Sequence, residues 1–232
     1  MKVVFEDDKR LVLQSGKESV SLLNALRRAL ISEVPTMAFG EIDFYENNSP
    51  LYNEYLANRI GLIPLSWDDG IPEDARISFS LNVEAVEENK TVYSRDFVST
   101  DPKIVVYGEN IPVAALRKGQ KLRLEAFAVK GTAKQHARFQ SAIGSYGHAG
   151  EFKAVEKCKK CSTPMKATKG LASVKGLPDN SVLCSNCEKP DGMGKDYLFI
   201  VESFNNLSAK EQYSRAVEVM LDKTKTLEKE FK

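Results

Sequence analysis

The chain is poor in the side chains that usually carry chemistry: four cysteines, two histidines and one tryptophan in 232 residues. Both histidines, His136 and His148, fall in one Gly/Ser-rich stretch, which leaves little material for acid–base catalysis. No G-x-S-x-G elbow, Walker A loop, H-E-x-x-H or G-x-G-x-x-G occurs, so the common signatures of hydrolases, nucleotide-binding enzymes and zinc proteases are missing. The carboxylate pairs Asp7-Asp8 and Asp68-Asp69 are flanked by Lys or Gly, the composition of solvated turns. A surplus of one charge is missing too: 33 Lys and Arg stand against 32 Asp and Glu, a formal charge of +1. Autonomous DNA binding calls for a basic excess, so any contact with DNA is expected only through partners. No apolar run approaches the roughly 18 residues of a membrane helix, and the opening MKVVFEDDKR has no signal-peptide core. These absences predict a cytoplasmic protein away from membranes, with its thiols reduced. Internal repeats are absent as well, which excludes solenoid folds.

What is present is a well-patterned α+β chain, 42% apolar, long enough for one large domain or two modest ones. Val3 to Phe5 and Leu11 to Leu13 read as two short strands joined by a turn. In SVSLLNALRRALISEVP, Leu22, Leu26, Leu30 and Val34 recur every four residues with Leu23 alongside, and Ser19 or Ser21 can cap the start. Pro35 ends that helix. SPLYNEYLANRIG reads as a second helix, with Ser49 as cap, Pro50 at its first position and Gly61 past its end. From about Arg76 to Lys130 the period changes to two: ISFSLNVEA and KLRLEAFAVK alternate, with VYSRDFVS and KIVVYG between them, as in an antiparallel sheet buried on one face. Residues 131–150 read as loop. After a strand in DYLFIVESF, the capping box Ser208-x-x-Glu211 opens a terminal helix. Its seam of Tyr213, Ala216, Val217, Met220, Leu221, Thr224, Leu227 and Phe231 runs about 36 Å, longer than a small domain needs for its own core. The helix either lies across the sheet or packs its outer half on another subunit.

All four cysteines lie between 158 and 187, as Cys158-x-x-Cys161 and Cys184-x-x-Cys187. A C-x-x-C turn lets two thiolates reach one ion, and two such turns complete a closed four-sulfur shell, as in zinc ribbons. Iron–sulfur clusters accept four thiolates too, although the dense ferredoxin run is absent and the spacing favours zinc. A thioredoxin-type dithiol opens a helix after a strand, which Lys-Lys and Ser-Asn between loop knuckles do not resemble.

LLNALRRALISEVPTMAF (22–39) followed by NNSPLYNEYLANRIGLIPL (47–65) resembles the signature of the D-subunit family of archaeal DNA-directed RNA polymerases. Its relatives are the third-largest subunit of eukaryotic RNA polymerase II and the N-terminal domain of bacterial RNA polymerase α. GQKLRLEAFAVKGTAKQHARF and YLFIVESF with the terminal helix look like further blocks, in the family's order. The resemblance implies a dimerisation domain from both chain ends, 1–45 plus 192–232, with two long helices on a sheet. An inserted antiparallel β-rich domain (46–152) and a small ferredoxin-like or zinc-ribbon-like insert (153–191) are implied between them. It further implies a non-catalytic assembly platform for DNA-directed RNA polymerase, with nucleotidyl transfer belonging to the complex. The chain would heterodimerise with the L subunit and dock the small subunits N and P and the second-largest, B-type subunit. Leu22, Leu23, Asn24, Leu26, Arg27, Arg28 and Leu30 are the expected interface on the first helix. Asn58, Arg59 and Leu62 are expected on the second, and Val217, Met220, Leu221, Leu227 and Phe231 on the third. Cys158, Cys161, Cys184 and Cys187 would hold Zn2+ or an iron–sulfur cluster, 3Fe-4S or 4Fe-4S. Two loops depart from the family pattern: Gln140-Ser141-Ala142 where relatives commonly have Ser-Pro, and Phe204-Asn205-Asn206 where they often have Gly. The reading that remains from the cysteines alone is a small metal-dependent or thiol redox protein.

Overall fold

The computed structural model describes residues 1–149, 166–169, 180–183 and 196–231. The four cysteines lie outside the described residues. Along the chain run β1 (Lys2–Glu6), β2 (Arg10–Ser15), helix α1 (Val20–Ser32), β3 (Thr36–Asn47), helix α2 (Asn53–Gly61) and β4 (Arg76–Glu84). Next come β5 (Lys90–Tyr93), β6 (Val98–Ser99), β7 (Pro112–Leu116), β8 (Lys121–Gly131) and β9 (Ala142–Ala149). A two-stranded ribbon of β10 (Lys166–Lys169) and β11 (Asn180–Leu183) precedes β12 (Asp196–Ser203) and helix α3 (Ala209–Glu230).

Both ends of the chain share one antiparallel sheet, ordered β1-β2-β12-β9. Val201 pairs with Leu11 and Phe199 with Leu13, so period-two alternation turns these four toward the same side. Leu23, Leu26, Ala29 and Leu30 of α1 and Ala209 and Ala216 of α3 close over them as one core. Ser19 accepts a hydrogen bond from the Leu22 amide and caps α1 as expected. The buried stripe, however, is Leu23, Leu26 and Leu30, while Leu22 is 45% exposed. Spacings of three and then four follow the 3.6-residue turn, whereas the expected four-residue repeat drifts off the buried face.

A second sheet, ordered β3-β8-β4-β6, carries the alternating strands. Leu122, Leu124, Ala126 and Ala128 of β8 and Ile77, Phe79, Leu81 and Val83 of β4 are all buried on its inner face, as the pattern predicted. α2 sets Leu56 and Ile60 against this core, and Phe39 meets Phe79 edge-on with ring centroids 4.9 Å apart. KIVVYG forms only an isolated bridge from Val106 to Leu65, and VYSRDFVS is broken by a short turn at Ser94–Asp96. Residues 36–47, unassigned from the sequence, form a long strand whose two register shifts hide its alternation. α2 starts at Asn53, later than expected, because Asn47 captures the Ser49 amide and hydroxyl and donates to the Leu51 carbonyl.

Residues 142–149, read as loop, form the edge strand of the first sheet, paired along β12 from Ser203↔Ala142 to Asp196↔Ala149. Gly144 explains the disguise. A Cβ there would sit 2.8 Å from Leu30 Cδ2, so only glycine lets α1 approach this closely. By sheet membership, Thr36–Asn47 goes with the second sheet and Ala142–Ala149 with the first, where 1–45 and 46–152 were the expected divisions.

The apolar cores of the two sheets are separate, and a buried polar seam lies between them. Gln212 Nε2 donates to Asn205 Oδ1 at 2.8 Å, and Ser141 Oγ donates to Gln212 Oε1 at 3.1 Å. Asn205 Oδ1 also accepts from the Leu207 amide, and Asn205 Nδ2 reaches Thr36 Oγ1 at 3.5 Å. The two loops that depart from the family pattern therefore meet here, with the Phe204 amide donating to the Ser141 carbonyl at 2.9 Å.

Candidate partner-docking interface

α3 is anchored in its first half and projects in its second. Ser208 and Glu211 form the expected capping box. The Ser208 amide and hydroxyl, through their bonds to Glu211, hold its carboxyl below the usual range. Ala209, Gln212 and Ala216 are buried, while Tyr213, Val217 and Met220 are half-buried around them. Burial pushes the Tyr213 hydroxyl up, and its ring meets Phe199 edge-on at 6.3 Å. From Leu221 to Phe231 every residue is exposed. Leu227 (54%) and Phe231 (87%) continue the line of Tyr213, Ala216 and Met220 along one helix face, with Leu221 (52%) at its margin. The opposite face carries Glu218, Asp222, Lys225 and Lys229. The buried stripe thus runs on into open solvent without losing its apolar character. Fully burying a side chain of this size contributes roughly 1.5–3 kcal/mol, a stabilisation that the exposed half leaves unused.

α1 lies beside this projection. Leu23, Leu26 and Leu30, expected at the interface, are 0–4% exposed and belong to the chain's own core. Leu22 and Arg28 face solvent, and Asn24 and Arg27 are half-buried. Arg27 donates to Asn24 Oδ1 from Nε at 3.3 Å and from Nη2 at 3.0 Å. Glu33, the C-cap of α1, accepts from Lys134 at 2.9 Å and from Lys223 of α3. Burial raises this carboxyl, but the hydrogen bonds from Lys223 and Lys134 outweigh it and hold the group below its ordinary value.

α2 offers a second exposed face. Tyr52 (81%), Tyr55 (52%) and Leu62 (54%) stand out beside Asn58 and Arg59, opposite the buried Leu56 and Ile60. Arg59 Nη2 donates to the Pro112 carbonyl at 2.7 Å, and its guanidinium lies 5.8 Å from the Tyr55 ring centre. Here all three expected residues, Asn58, Arg59 and Leu62, are exposed.

Tyr52, Tyr55, Trp67 and Gln212 went unread in the sequence, and Asn205 and Asn206 were read only as a loop departing from the family pattern. Trp67 is nearly buried. Its backbone is bracketed by Asn206, whose Oδ1 accepts from the Trp67 amide at 2.7 Å and whose Nδ2 donates to the Trp67 carbonyl at 3.0 Å. Trp67 Nε1 donates to Asp69, which also receives Arg215 of α3 at 2.7 Å. These two bonds, Trp67's the larger influence, hold the Asp69 carboxyl below the usual range. The aspartate pairs are turn-formers, as their composition implied: Asp7 Oδ1 caps the Lys9 and Arg10 amides, and Asp68 Oδ1 the Gly70 amide. His136 Nδ1 accepts from the Arg138 amide. Among the described residues no cluster of His, Cys, Asp and Glu could hold a metal ion, and no helix is long and apolar enough to cross a membrane. The expected cluster or zinc ligands lie outside the described residues.

Comparison with known families finds relatives of the chain among RNA polymerase subunits. Residues 41–147 match the family model described as the RNA polymerase Rpb3/RpoA insert domain. A DNA-directed RNA polymerase subunit Rpo3 of Pyrococcus furiosus is 33% identical, over 94% of this chain and 90% of its own length. The Rpo3 subunit of Archaeoglobus fulgidus is 31% identical over 99% of this chain and 96% of its own. That of Methanosarcina acetivorans is 31% identical over 90% and 89%.

Proposed function

The chain belongs to the Rpo3 family of DNA-directed RNA polymerase subunits, and from that premise we propose that it is the assembly platform, the D-type subunit of an archaeal enzyme. It is a non-catalytic subunit of the polymerase, and nucleotidyl transfer belongs to the complex. The projecting half of α3, with the exposed Leu22 of α1, pairs with a smaller subunit of the L type. Asn24, Arg27 and Arg28 of α1, with Asn58, Arg59 and Leu62 on the outer face of α2, meet the second-largest, B-type subunit and the small subunits N and P. DNA is met only through the assembled enzyme.

One observation carries this reading: an apolar stripe buried from Ala209 to Ala216 continues, on the same face of one helix, through Leu227 and Phe231 in solvent. A helix that served only its own sheet would turn polar where the sheet ends. Coexpression with an L-type subunit is expected to yield a stable one-to-one complex. A monomer that stays soluble and ignores that subunit would refute the reading.

Cys158, Cys161, Cys184 and Cys187 are proposed to hold one zinc ion or one iron–sulfur cluster, since four thiolates suit either. Ala149 and Asp196, which bracket the segment containing them, are directly paired neighbours on β9 and β12. A segment whose ends meet in this way can be added to the sheet without disturbing its register, which supports a separate small insert.

A further inference from the structure

We propose that the polar seam between the two sheets is an orientation lock, which holds the α1–α3 pairing surface and the α2 docking face at one mutual angle so that two partner subunits can bind at once. The inference rests on the docking reading above.

The seam sits at the root of both surfaces. Gln212 and Arg215 lie on one turn of α3, just before its exposed seam begins. Gln212 fastens inward to Asn205 and Ser141, while Arg215 fastens outward to Asp69. On the other side, Trp67 follows closely after the end of α2, and Asn206 grips both its amide and its carbonyl. Asn205 bonds to Thr36, the first residue of β3, and its carbonyl accepts from Lys9 at 2.9 Å. Lys9 also donates to the Tyr107 hydroxyl, beyond the seam, and lies 4.0 Å from the centre of that ring. Both sheets, α3 and the exit of α2 are thus joined through Asn205, Asn206 and Trp67.

The chemistry of the joint suits a lock. Apolar surfaces slide over one another at little loss, because the hydrophobic effect has no direction. Hydrogen bonds weaken steeply with angle, and a buried polar group that loses its partner has no water to replace it. A rotation of one sheet against the other would break Asn205–Thr36, Arg215–Asp69 and both Asn206–Trp67 bonds together, while Gln212 holds Asn205 in place on the first-sheet side. Five of the buried polar residues, Thr36, Ser141, Ser203, Asn205 and Gln212, are gathered at this boundary. Two partners that also touch each other gain from one rigid platform, because the first to bind presents its contact to the second at high effective concentration. That gain vanishes where geometry forbids simultaneous engagement.

The test uses the full chain with purified L-type and B-type subunits, singly and together. Asn205→Ala opens the inner part of the lock. The double variant Asn206→Ala with Arg215→Ala opens its outer part through side chains at the surface, and decides the matter should the buried change prevent folding. With the lock open, each binary affinity is expected to stay within about two-fold, while recovery of the three-subunit complex falls about 100-fold. The emission of Trp67, the only tryptophan, shifts red as its cover loosens. Three-subunit complexes that form as readily as with the unaltered chain would overturn the lock and leave the docking surfaces standing. Loss of a binary interaction in the double variant would also overturn it, since the seam would then belong to a docking surface. Failure of the unaltered chain to bind either subunit would overturn the docking reading itself.

Discussion

Lys223, in the exposed half of α3, donates to the carboxylate of Glu33, the residue that caps α1, across 190 positions of sequence. Lys134 holds the other carboxylate oxygen at 2.9 Å. The two helices of the proposed pairing surface are therefore tied at the point where the exposed half of α3 begins. The side chain of Glu33 is only 14% exposed, so this tie is less screened than an ordinary surface pair.

The tie makes stability depend on acid. The Glu33 carboxyl titrates lower in the folded chain than its ordinary value of 4.5. Its contribution is therefore complete above that value and is lost as the pH falls through the depressed folded value. Denaturant titrations from neutral pH downward should show Glu33→Gln less stable than the unaltered chain near pH 7. The two curves should converge in strong acid. A constant gap across that range would show that the charge of Glu33 is not the cause.

Two leucines separate folding from pairing. Leu26 is 4% exposed within the chain's own core, and Leu227 is 54% exposed on the projecting helix. Leu26→Asp buries an unpaired charge and should cost more than about 4 kcal/mol, enough to unfold many domains. Leu227→Asp should change the stability of the isolated chain by no more than about 0.5 kcal/mol, yet abolish capture of an L-type subunit. Thermal melts and pull-downs on the two variants read these effects independently.

Gly144 tests the packing of α1 on β9. Gly144→Val places atoms where Leu30 Cδ2 would be 2.8 Å from the first added carbon, with Arg27 Cγ at 3.4 Å. Overpacking of this kind costs about 1–3 kcal/mol, and the fall in denaturation midpoint should come without a change in slope. Unaltered stability would mean that α1 can lift from the sheet at no cost.

The cysteine segment should prove separable. Cys184→Ser is expected to abolish the bound metal, read by metal analysis and absorption of protein purified without oxygen, while pairing with an L-type subunit persists. A brown iron protein would identify a cluster, and a colourless one with zinc a structural staple. Loss of pairing in Cys184→Ser would show that the insert supports the first sheet.

Some elements could be read before any coordinates because their signals are local. Ser19 and the Ser208–Glu211 box announce helix starts, and the strict alternation of Ile77 to Val83 and Leu122 to Ala128 announces strands. The terminal helix was legible as longer than its own core needs, and Asn58, Arg59 and Leu62, expected at an interface through the family resemblance, are exposed. The sequence by itself thus determined the helices, the alternating strands and, through its motifs, the polymerase family. Tertiary structure alone decided which leucines of α1 are consumed by the core. A helix cannot say which side its sheet will take when Leu22 and Leu23 are equally apolar. It also decided that residues 142–149 are a strand, because Gly144 looks like a turn until α1 is seen pressing on it. The polar seam was least legible of all. Asn205, Gln212, Ser141 and Thr36 are scattered over the chain, and each reads as a surface residue until folding buries them against one another. Local pattern specifies elements because backbone geometry repeats. Junctions between elements do not repeat, so only the packed chain reveals them.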